Sequence, residues 1–499
     1  MSRTRPMTTR AAMVAAAALS LGALSASAAP ALATASPPVS PAVSWSRLAA
    51  VPASAPSVQV PTGLFWPGLP VRVKGGGFRP GTLTLTLDGL AMGTLTVRAD
   101  GTFTGTPRVP LKTRQGLRPL RATQGTRSAT TSLGVHLQWA QSGQYGAHRS
   151  HAYHETGLTK ATIADTTPLY LGDSIYGGPG DDGFTLAQGV LSWSFGEGAV
   201  GFDAVTGKQK WVFQTGQNPL SMWGGTYDAS SGTFLFLEQR GPIHAWGLDP
   251  QTGLTTHNLN VPGIEQVSPG IVLDAGRIYD VGSDVARRSH VVVALDPVKG
   301  SVVWSTPITD LGVNTSIPAV AGGRIFVAGN QLTAIDQITG KLLWVTDIGG
   351  LATRPVADGT SVFVLVDAQI RAYDAATGAL RWTYTAASGD QTPFGLAVGA
   401  GRVYTNQLTV TAALDEGTGE TIWSRPGAGG TPLFVNGMLI SQIGDPATPT
   451  QHVYTAVDAA TGDILATFPA PNGGGITGPI VADSVVYLPD KGIDAYALK

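Results

Sequence analysis

The chain has 499 residues, contains no cysteine and carries a formal net charge of −1 at pH 7. Charged residues make up 13% of it, whereas glycine and proline number 65 and 34. A nucleic-acid-binding protein normally carries a surplus of positive charge, so this composition argues against a nucleic-acid partner. The lack of cysteine excludes disulfides, thiolate metal sites and thiol catalysis. Abundant glycine and proline favour short strands joined by tight turns, because both residues interrupt helices.

Residues 1–33 have the pattern of a secretory signal peptide. Three arginines without an acid precede the apolar run AAMVAAAALSLGALSASA, and two small-residue cleavage sites follow, at residues 26–28 and 31–33. We therefore expect cleavage and export, with the mature protein secreted or associated with the cell envelope. No cysteine is present to carry a lipid anchor, and no later stretch has the ~20 apolar residues of a transmembrane helix.

Two further regions precede the longest part of the chain. Residues 34–56 are rich in proline, alanine and serine, which predicts an extended linker. Residues 57–137 alternate apolar and polar side chains between glycine and proline turns, which predicts a small antiparallel β-sandwich. The order of KGGGFRPG, LTLTLDG, RADGTFTG and GLRPLRATQG resembles a bacterial Ig-like domain of secreted actinobacterial proteins. That resemblance implies a spacer or presentation role.

Residues 138–499 contain seven copies of a motif in which glycine follows an aspartate by four residues. Successive copies lie 38 to 47 residues apart, and in five of them a tryptophan follows the aspartate by eight residues. His257 and Ala466 replace the tryptophan in the other two copies. The motif residues are Asp203, Gly207, Trp211, Asp249, Gly253, Asp296, Gly300, Trp304, Asp336, Gly340, Trp344, Asp374, Gly378, Trp382, Asp415, Gly419, Trp423, Asp458 and Gly462.

Each motif lies between two alternating segments, such as QLTAID and KLLWVTD, which predicts a hairpin turn. A repeat of about 40–45 residues with several short strands is typical of a β-propeller blade. After the exit strand of the last copy the chain ends with a blade of only three strands, so we expect TTPLYLG, residues 166–172, to supply its fourth strand and close the ring. The sequence thus predicts an all-β protein, an eight-bladed β-propeller preceded by a small Ig-like β-sandwich.

The tandem A-x-D-x-x-T-G-x-x-x-W motif resembles that of pyrroloquinoline-quinone-like (PQQ-like) repeat β-propellers. Residues 139–156, WAQSGQYGAHRSHAYHET, are similar to the W-x-Q-x-G segment that often precedes such propellers. The resemblance covers most of the chain and implies the fold, but it leaves function open. The family includes quinone-dependent dehydrogenases, an outer-membrane assembly lipoprotein and many secreted proteins of unknown role.

We expect a secreted or cell-surface binding or scaffolding protein that uses the propeller as an interaction platform, without catalysis and without a cofactor. Its partner is expected to be a protein or another cell-envelope component, and the chain itself a monomer. The alternative is a quinoprotein dehydrogenase that uses PQQ and Ca²⁺ to oxidise an alcohol or a sugar. For such an enzyme the resemblance implies an adjacent-cysteine disulfide, a tryptophan beneath the cofactor and a Glu/Asn/Asp calcium set. This chain has no cysteine and no matching Glu/Asn/Asp trio.

The axial funnel of the predicted propeller is the candidate ligand site. A proline opens the first strand of each repeat, and the residues before these prolines are expected to surround the funnel. Arg354, a cation beside one such proline, could bind a carboxylate or phosphate. The alternative is that these residues only solvate a narrow channel. The candidates on this ring or slightly upstream are Asn218, Glu265, Ser268, Asn314, Arg354, Gln391, Thr392 and Thr431, with Ile317 and Gly478 also on the ring.

The remaining patterns are interpreted as structural. His148, His151 and His154 are spaced by three, and the acidic loop at residues 177–184 is rich in glycine, but neither pattern has the further ligands that a zinc or calcium site needs. We therefore expect no metal. The motif tryptophans are expected to pack under the turn of the neighbouring blade, because repeats that contact only their neighbours need such an interface.

Overall fold

The computed structural model describes residues 55–62, 64–110, 112–114, 116–136, 152, 155–172, 184–216, 222–238, 242–266, 270–309, 317–385, 395–407, 410–426, 430–442, 453–469, 478–489 and 492–498. The predicted signal peptide and residues 34–54 of the predicted linker lie outside these ranges. Within them, the regular elements are β-strands and one short 3₁₀ helix, Ile163–Asp165. No helix of the described residues is long and apolar enough to cross a membrane. The all-β prediction is confirmed.

Residues 57–135 form two sheets that share one core. The smaller sheet has the strand order β1-β3-β6 and the larger one β2-β8-β7-β4-β5. Leu83, Leu85 and Leu87 of β4 alternate with threonines and enter the core, where they meet Val73 and Phe103 of the smaller sheet. The strands are β1 (Ser57–Gln59), β2 (Leu64–Phe65), β3 (Val73–Gly76), β4 (Gly81–Leu87), β5 (Leu90–Val97), β6 (Phe103–Gly105), β7 (Gly116–Gln124) and β8 (Arg127–Val135). We call this unit the sandwich.

The rest of the described chain is a succession of antiparallel sheets. Their strands are β9 (Thr166–Tyr170), β10 (Thr185–Ala187), β11 (Val190–Phe195), β12 (Gly198–Asp203), β13 (Gln209–Gln214), β14 (Met222–Asp228), β15 (Thr233–Glu238), β16 (Pro242–Leu248), β17 (Thr255–Gln266), β18 (Val272–Asp274), β19 (Arg277–Asp284), β20 (Ser289–Leu295), β21 (Val302–Ile308), β22 (Ala319–Ala321), β23 (Arg324–Ala328), β24 (Gln331–Asp336), β25 (Leu342–Asp347), β26 (Ala352–Ala357), β27 (Ser361–Val366), β28 (Gln369–Asp374), β29 (Leu380–Thr385), β30 (Gly395–Gly399), β31 (Arg402–Asn406), β32 (Val410–Asp415), β33 (Thr421–Pro426), β34 (Leu433–Val435), β35 (Met438–Gln442), β36 (Val453–Asp458), β37 (Ile464–Pro469), β38 (Ile480–Ala482), β39 (Val485–Pro489) and β40 (Ile493–Leu498).

These strands pair in groups of four that follow chain order. β10–β13, β22–β25, β26–β29, β30–β33 and β34–β37 each form a four-stranded sheet. β14–β17 and β18–β21 are joined into one larger sheet, because the long strand β17 pairs with both β16 and β19. In the last sheet β9 pairs antiparallel with β40, so the strand expected within residues 166–172 does complete a sheet made of β38, β39 and β40.

Each group of four strands has two different ends. The hairpins that join its first to its second strand and its third to its fourth strand lie together, at what we call the turn end. The opposite end is the loop end. At the turn end the two hairpins are hydrogen-bonded to each other: the N–H of Glu416 donates to the Gly401 carbonyl at 3.1 Å, and the N–H of Ala459 donates to the Gly437 carbonyl at 2.9 Å.

Neighbouring sheets share apolar cores. One core cluster combines Phe326 and Ala334 of β22–β25 with Val362, Val364 and Tyr373 of β26–β29. Both faces of these sheets are covered, so a second strand such as β27 is buried along its whole length. Each sheet is therefore held mainly by the two sheets beside it.

The motif tryptophan provides a specific contact between sheets. The Nε1–H of Trp344 donates to the Ala375 carbonyl of the next sheet at 3.2 Å, and a β-carbon added at Gly378 would lie 2.7 Å from the Trp344 ring. The same donation is made by Trp211, Trp382 and Trp423 to Pro250, Glu416 and Ala459 at 2.7, 2.9 and 3.0 Å. In the last sheet Tyr170 of β9 takes this role: its hydroxyl donates to the Ala204 carbonyl at 3.2 Å and its ring covers Gly207.

Two of the sheets that carry the motif lack its tryptophan, and each contacts the next sheet through other residues. In β14–β17 the His257 ring lies over Gly247 of its own sheet, and Leu259 contacts Gly300 of the next motif. In β34–β37 the tryptophan position is Ala466, and the following sheet has no motif turn because its fourth strand is β9. The 3₁₀ helix Ile163–Asp165 precedes β9 there and lines a groove with Ala466.

The sandwich contacts the turn end of the sheets. His136 Nδ1 lies 2.9 Å from Asp483 Oδ2 in the hairpin between β38 and β39, and the His136 ring stacks on Trp66 with centroids 4.2 Å apart. Arg108 donates to the carbonyl of Ala229, in the hairpin between β14 and β15, at 3.1 Å. The sandwich thus covers part of the turn end.

Candidate functional site

The carboxylates of the motif are used within their own turns. Asp336 Oδ1 accepts hydrogen bonds from the Thr339 N–H at 2.8 Å and the Thr339 hydroxyl at 2.7 Å, and these bonds hold the pKa of Asp336 below its usual value. Arg381, Thr377 and local N–H groups lower the pKa of Asp374 to about 2. The glycine of each motif has a positive φ, 73° at Gly340, which closes the turn. The motif therefore has the geometry of a building element, in which one oxygen of the aspartate accepts the hydrogen bonds that form the turn.

The funnel candidates divide between described and undescribed residues. Glu265, Arg354 and Thr431 lie in the described ranges: Glu265 and Arg354 are in two different sheets, and Thr431 lies just before β34 of a third. Outside the described residues lie Asn218, Ser268, Asn314, Gln391 and Thr392, the three histidines at 148, 151 and 154, and residues 177–183 of the acidic loop.

Arg354 occupies an irregular position on a first strand. It lies in β26 where the register to β27 shifts between Thr353 and Val356, and its φ is +44°. A left-handed arginine immediately before a proline is disfavoured, and such conformations persist only where the surroundings fix them. The backbone conformation of the half-buried Arg354 is thus fixed by a β-bulge in β26, the first strand of its sheet.

Thr431 is packed between neighbouring first strands. A β-carbon at Gly395 of β30 would lie 2.5 Å from Thr431 Oγ1, and one at Gly478, just before β38, would lie 2.7 Å from the Thr431 carbonyl. A similar approach occurs where the Thr185 hydroxyl donates to the Gly225 carbonyl at 2.9 Å. At these positions the first strands, or the residues just before them, contact the neighbouring sheet directly.

Glu265 lies on a fourth strand. It sits near the end of β17, exposed, and pairs with Pro242 on one side and Ser283 on the other. Its strand joins two groups of four into the larger sheet. The carboxylate is therefore available to solvent at the loop end, on a different layer of strands from Arg354.

A buried polar network at the loop end was missed by the sequence analysis. The side-chain NH₂ of fully buried Asn406 donates to Ser441 Oγ at 2.7 Å and to the Gln442 carbonyl at 3.0 Å, and its oxygen accepts from the Thr411 hydroxyl at 2.7 Å. Gln407 beside it is also fully buried, yet neither polar atom of its amide has a hydrogen-bond partner among the residues that the structure describes. The polar ends of the second strands, VYTNQ and LISQ, were the available signal.

A second polar cluster occupies the loop end of the β14–β17 group. Glu238 is buried, accepts a hydrogen bond from Trp246 Nε1 at 2.9 Å and lies 3.1 Å from His244 Nδ1. The imidazole stacks on the Trp246 ring with centroids 5.0 Å apart. One oxygen of the Glu238 carboxylate, Oε2, thus contacts both the indole N–H of Trp246 and the His244 ring.

Glu155 ties the segment before the propeller to the last sheet. Its carboxylate accepts hydrogen bonds from the N–H groups of Gly157, Leu158 and Ser484 at 2.6, 3.1 and 3.1 Å. Burial raises the pKa of Glu155, although these bonds oppose the rise. Ser484 stands at φ +62° where most equivalent hairpins have glycine, so this contact helps to hold an unfavourable turn.

The described residues do not fit the site that a PQQ- and calcium-dependent dehydrogenase would need. The sequence has no cysteine for the adjacent disulfide. Within the described ranges, no group of three His, Asp or Glu side chains is placed to hold a metal ion.

Comparison with known proteins supports the repeat assignment. Residues 287–426 match the family model described as outer membrane protein assembly factor BamB. BamB of Burkholderia pseudomallei is 31% identical over 160 residues, which cover 28% of this chain and 39% of that protein. Tetrathionate hydrolase of Acidithiobacillus ferrooxidans is 24% identical over 351 residues, which cover 64% of this chain and 61% of that protein. The chain therefore spans less than two thirds of either relative.

The fold has solved counterparts. The crystal structure of quinohemoprotein alcohol dehydrogenase from Comamonas testosteroni matches with a TM-score of 0.53 at 11% identity, over 72% of this chain and 80% of that one. At this identity the likeness concerns the fold alone. Taken together with the sheets described above, the chain contains a PQQ-like, BamB-type repeat domain with the β-propeller fold of the PQQ-dependent dehydrogenases.

Proposed function

We propose that this is an exported protein of the cell envelope that binds a protein partner through its propeller and acts without catalysis or a cofactor. The observation that carries the proposal is the match of residues 287–426 to the family of the outer membrane protein assembly factor BamB. The signal-peptide pattern at residues 1–33 supports export. We further propose that the chain acts as a monomer.

We propose eight blades and an Ig-like sandwich as the architecture of this binding protein. Support for eight comes from counting the groups of four strands in the described residues: β10–β13, β14–β17, β18–β21, β22–β25, β26–β29, β30–β33, β34–β37, and β38–β40 with β9. Pairing of β9 with β40 favours a closed ring, because a closed ring leaves no blade without its outer strand.

The partner is proposed to bind at the loop end. At the turn end the motif aspartates are bonded within their turns, and the sandwich already contacts three of the hairpins through Asp483, Ala229 and Gly189. At the loop end, polar groups differ from sheet to sheet, and Glu265 and Arg354 supply charges of opposite sign. We include Asn218, Ser268, Asn314, Gln391, Thr392 and Thr431 as candidates on the same surface.

A crosslinking experiment tests this surface. A photo-reactive amino acid at Glu265 is expected to yield one discrete adduct with an envelope protein in cells that express the chain. The matched control is the same amino acid at Ile338, which is 71% exposed at the turn end. Adducts of equal yield from both positions, or none from Glu265, would reject binding at the loop end.

A quinoprotein dehydrogenase is the second candidate, favoured by the shared fold with quinohemoprotein alcohol dehydrogenase. Titration of the purified protein with PQQ and Ca²⁺ tests it, with absorbance and dye-linked oxidation of alcohols and sugars as readouts. Turnover that depends on added PQQ would replace the binding proposal. An unchanged cofactor spectrum together with no turnover would remove this candidate.

A further inference from the structure

The motif turns differ from sheet to sheet in the residue at their tip, the second residue after the aspartate. In motif order the tips are Val205, Gln251, Val298, Ile338, Ala376, Gly417 and Ala460. Val298 and Ile338 are 72% and 71% exposed. The hydrogen bonds of the turn do not involve the side chain of the tip, so the turn itself does not require an aliphatic residue there.

The exposed tips Val298 and Ile338 belong to two neighbouring groups of strands, β18–β21 and β22–β25. The Trp304 ring of β21 lies over Gly340 of the next motif, which holds the two groups side by side. Beyond each tip, the fourth strand begins with two more exposed aliphatic side chains. These six residues form what we call the aliphatic patch: Val298, Val302, Val303, Ile338, Leu342 and Leu343. Exposed apolar side chains that are grouped in this way mark an interaction site.

The backbone of the two tips is already hydrogen-bonded within the protein. The Ile338 N–H donates to Asp336 Oδ1 at 3.2 Å, and the Ile338 carbonyl accepts from the guanidinium of Arg277, the first residue of β19, at 3.0 Å. At the other tip, the Val298 N–H donates to Asp296 Oδ1 at 2.9 Å. Such tips can enter an apolar medium without the cost of leaving these backbone groups unpaired.

Basic side chains accompany the aliphatic patch. Lys299 and Lys341 are exposed beside the two tips, and the Arg277 guanidinium lies at one of them. Lys299 is 3.4 Å from the aspartate of its own turn, and an exposed ion pair of this kind contributes little. At the position of Lys341, five residues after the aspartate, the last two motifs carry the acids Glu420 and Asp463. The aliphatic patch thus coincides with positive charge, and the small tips of the last two motifs coincide with negative charge.

We propose that the aliphatic patch docks the protein on an anionic lipid bilayer. Val298 and Ile338 enter the boundary between headgroups and acyl chains, and Lys299, Lys341 and Arg277 meet the lipid phosphates. Interfacial binding combines buried apolar area with attraction to anionic headgroups in this way. Protein interfaces are instead enriched in aromatic side chains and depleted in lysine, so the composition of the patch favours lipid. The inference goes beyond the function proposed above, because the patch lies at the turn end and leaves the loop end open.

A fluorophore at a tip tests the proposal, since the chain contains no cysteine that would compete for the label. Ile338→Cys, labelled with nitrobenzoxadiazole in the full chain, is titrated with vesicles of equal parts phosphatidylglycerol and phosphatidylcholine. We expect a saturable rise in emission with a shift to shorter wavelength, because the tip leaves water. Val285→Cys is the matched control, in the exposed hairpin between β19 and β20 at the loop end, and should show neither change.

Two changes made in the labelled Ile338→Cys protein separate the apolar from the charged contribution. Val298→Ser should weaken vesicle binding about ten-fold, because it removes the second aliphatic tip. Lys299→Gln together with Lys341→Gln should weaken it about ten-fold or more, and should also reduce its dependence on salt. These side chains are exposed, so urea unfolding of each variant should match that of the labelled parent.

Equal emission changes from the labels at Ile338→Cys and Val285→Cys, or none from Ile338→Cys, would overturn the proposal. So would an emission change that appears without vesicles and depends on protein concentration, since it would make the aliphatic patch a contact between copies of the chain. The crosslink from Glu265 reports on the loop end alone, so failure of the proposed partner binding would leave the vesicle result unchanged.

Discussion

The turn end and the loop end of the sheets use their polar side chains in opposite ways. At the turn end the same bonds recur: an aspartate caps its own turn, as Asp249 and Asp336 do, and an indole N–H meets the next sheet. Among the described residues of the loop end, buried polar residues such as Glu238 and Asn406 make hydrogen bonds that differ between their two sheets. Repetition thus marks the residues that form the turns and join neighbouring sheets, whereas the loop end is where the polar side chains vary from sheet to sheet.

The largest effect is expected from a turn-end tryptophan. Trp344→Ala should lower the free energy of unfolding by about 3 kcal/mol, because it removes a packed ring and its hydrogen bond to Ala375. Urea unfolding measures the loss, and Leu342→Ala on the same strand, where the side chain is 44% exposed, is the control. If Trp344→Ala abolished partner binding without changing the free energy of unfolding, the contrast between the two ends would be wrong, because a repeated residue would then contact a ligand.

Asn406 and Gln407 allow a hydrogen-bonded and an unbonded buried amide of the loop end to be compared. Asn406→Ala should lower the free energy of unfolding by about 2 kcal/mol, because Ser441 and Thr411 lose a buried partner. Gln407→Leu should leave it unchanged or raise it by about 1 kcal/mol, since no hydrogen bond is lost. Both are read from urea unfolding. If Gln407→Leu destabilises as much as Asn406→Ala, Gln407 is part of the structural network.

The raised pKa of Glu155, at the turn end, predicts that the free energy of unfolding depends on pH. Burial raises the pKa of Glu155 above 4.5, so on titration from low pH the unfolded chain loses this proton first. The contribution of Glu155 to stability is therefore greatest below pH 4.5 and falls as pH rises through the folded pKa. Glu155→Gln should remove this fall in a series of unfolding curves from pH 4 to 7. Parallel curves for parent and variant would show that Glu155 ionises alike in both states.

The smallest effect is expected from a single turn aspartate. Asp249→Ala should lower the free energy of unfolding by about 1 kcal/mol, because the N–H groups of Gln251 and Thr252 lose their acceptor. Asp249→Asn should restore most of it, and Leu254→Ala, at a side chain 70% exposed in the same turn, should have no effect. These values come from chemical unfolding. A loss as large as that of Trp344→Ala would show that the turn contributes beyond its own hydrogen bonds.

The sequence predicted the repeating parts well because their signals are local. The seven aspartate–glycine pairs lie in turns whose bonds span only a few residues, and the closing strand within residues 166–172 follows from counting strands. In β17, His257 stands at the motif's tryptophan position, yet Leu259 is the residue that contacts Gly300. This was not predictable from the sequence, because it depends on the register of the long strand β17. The contacts between the sandwich and the turn end could not be predicted from the sequence either, because His136 and Asp483 are 347 positions apart.

The sequence by itself determined the all-β fold, the repeating hairpins and the identity of the side chains that build them. Short-range hydrogen bonding and a fixed period carry that information, so one chain suffices to detect it. Only the tertiary structure decided which polar groups are buried together, as at Asn406 and Glu238, and that the 3₁₀ helix Ile163–Asp165 packs against β37, where Ala466 replaces the tryptophan. These features depend on contacts between strands that are distant in sequence, and no local pattern encodes such contacts.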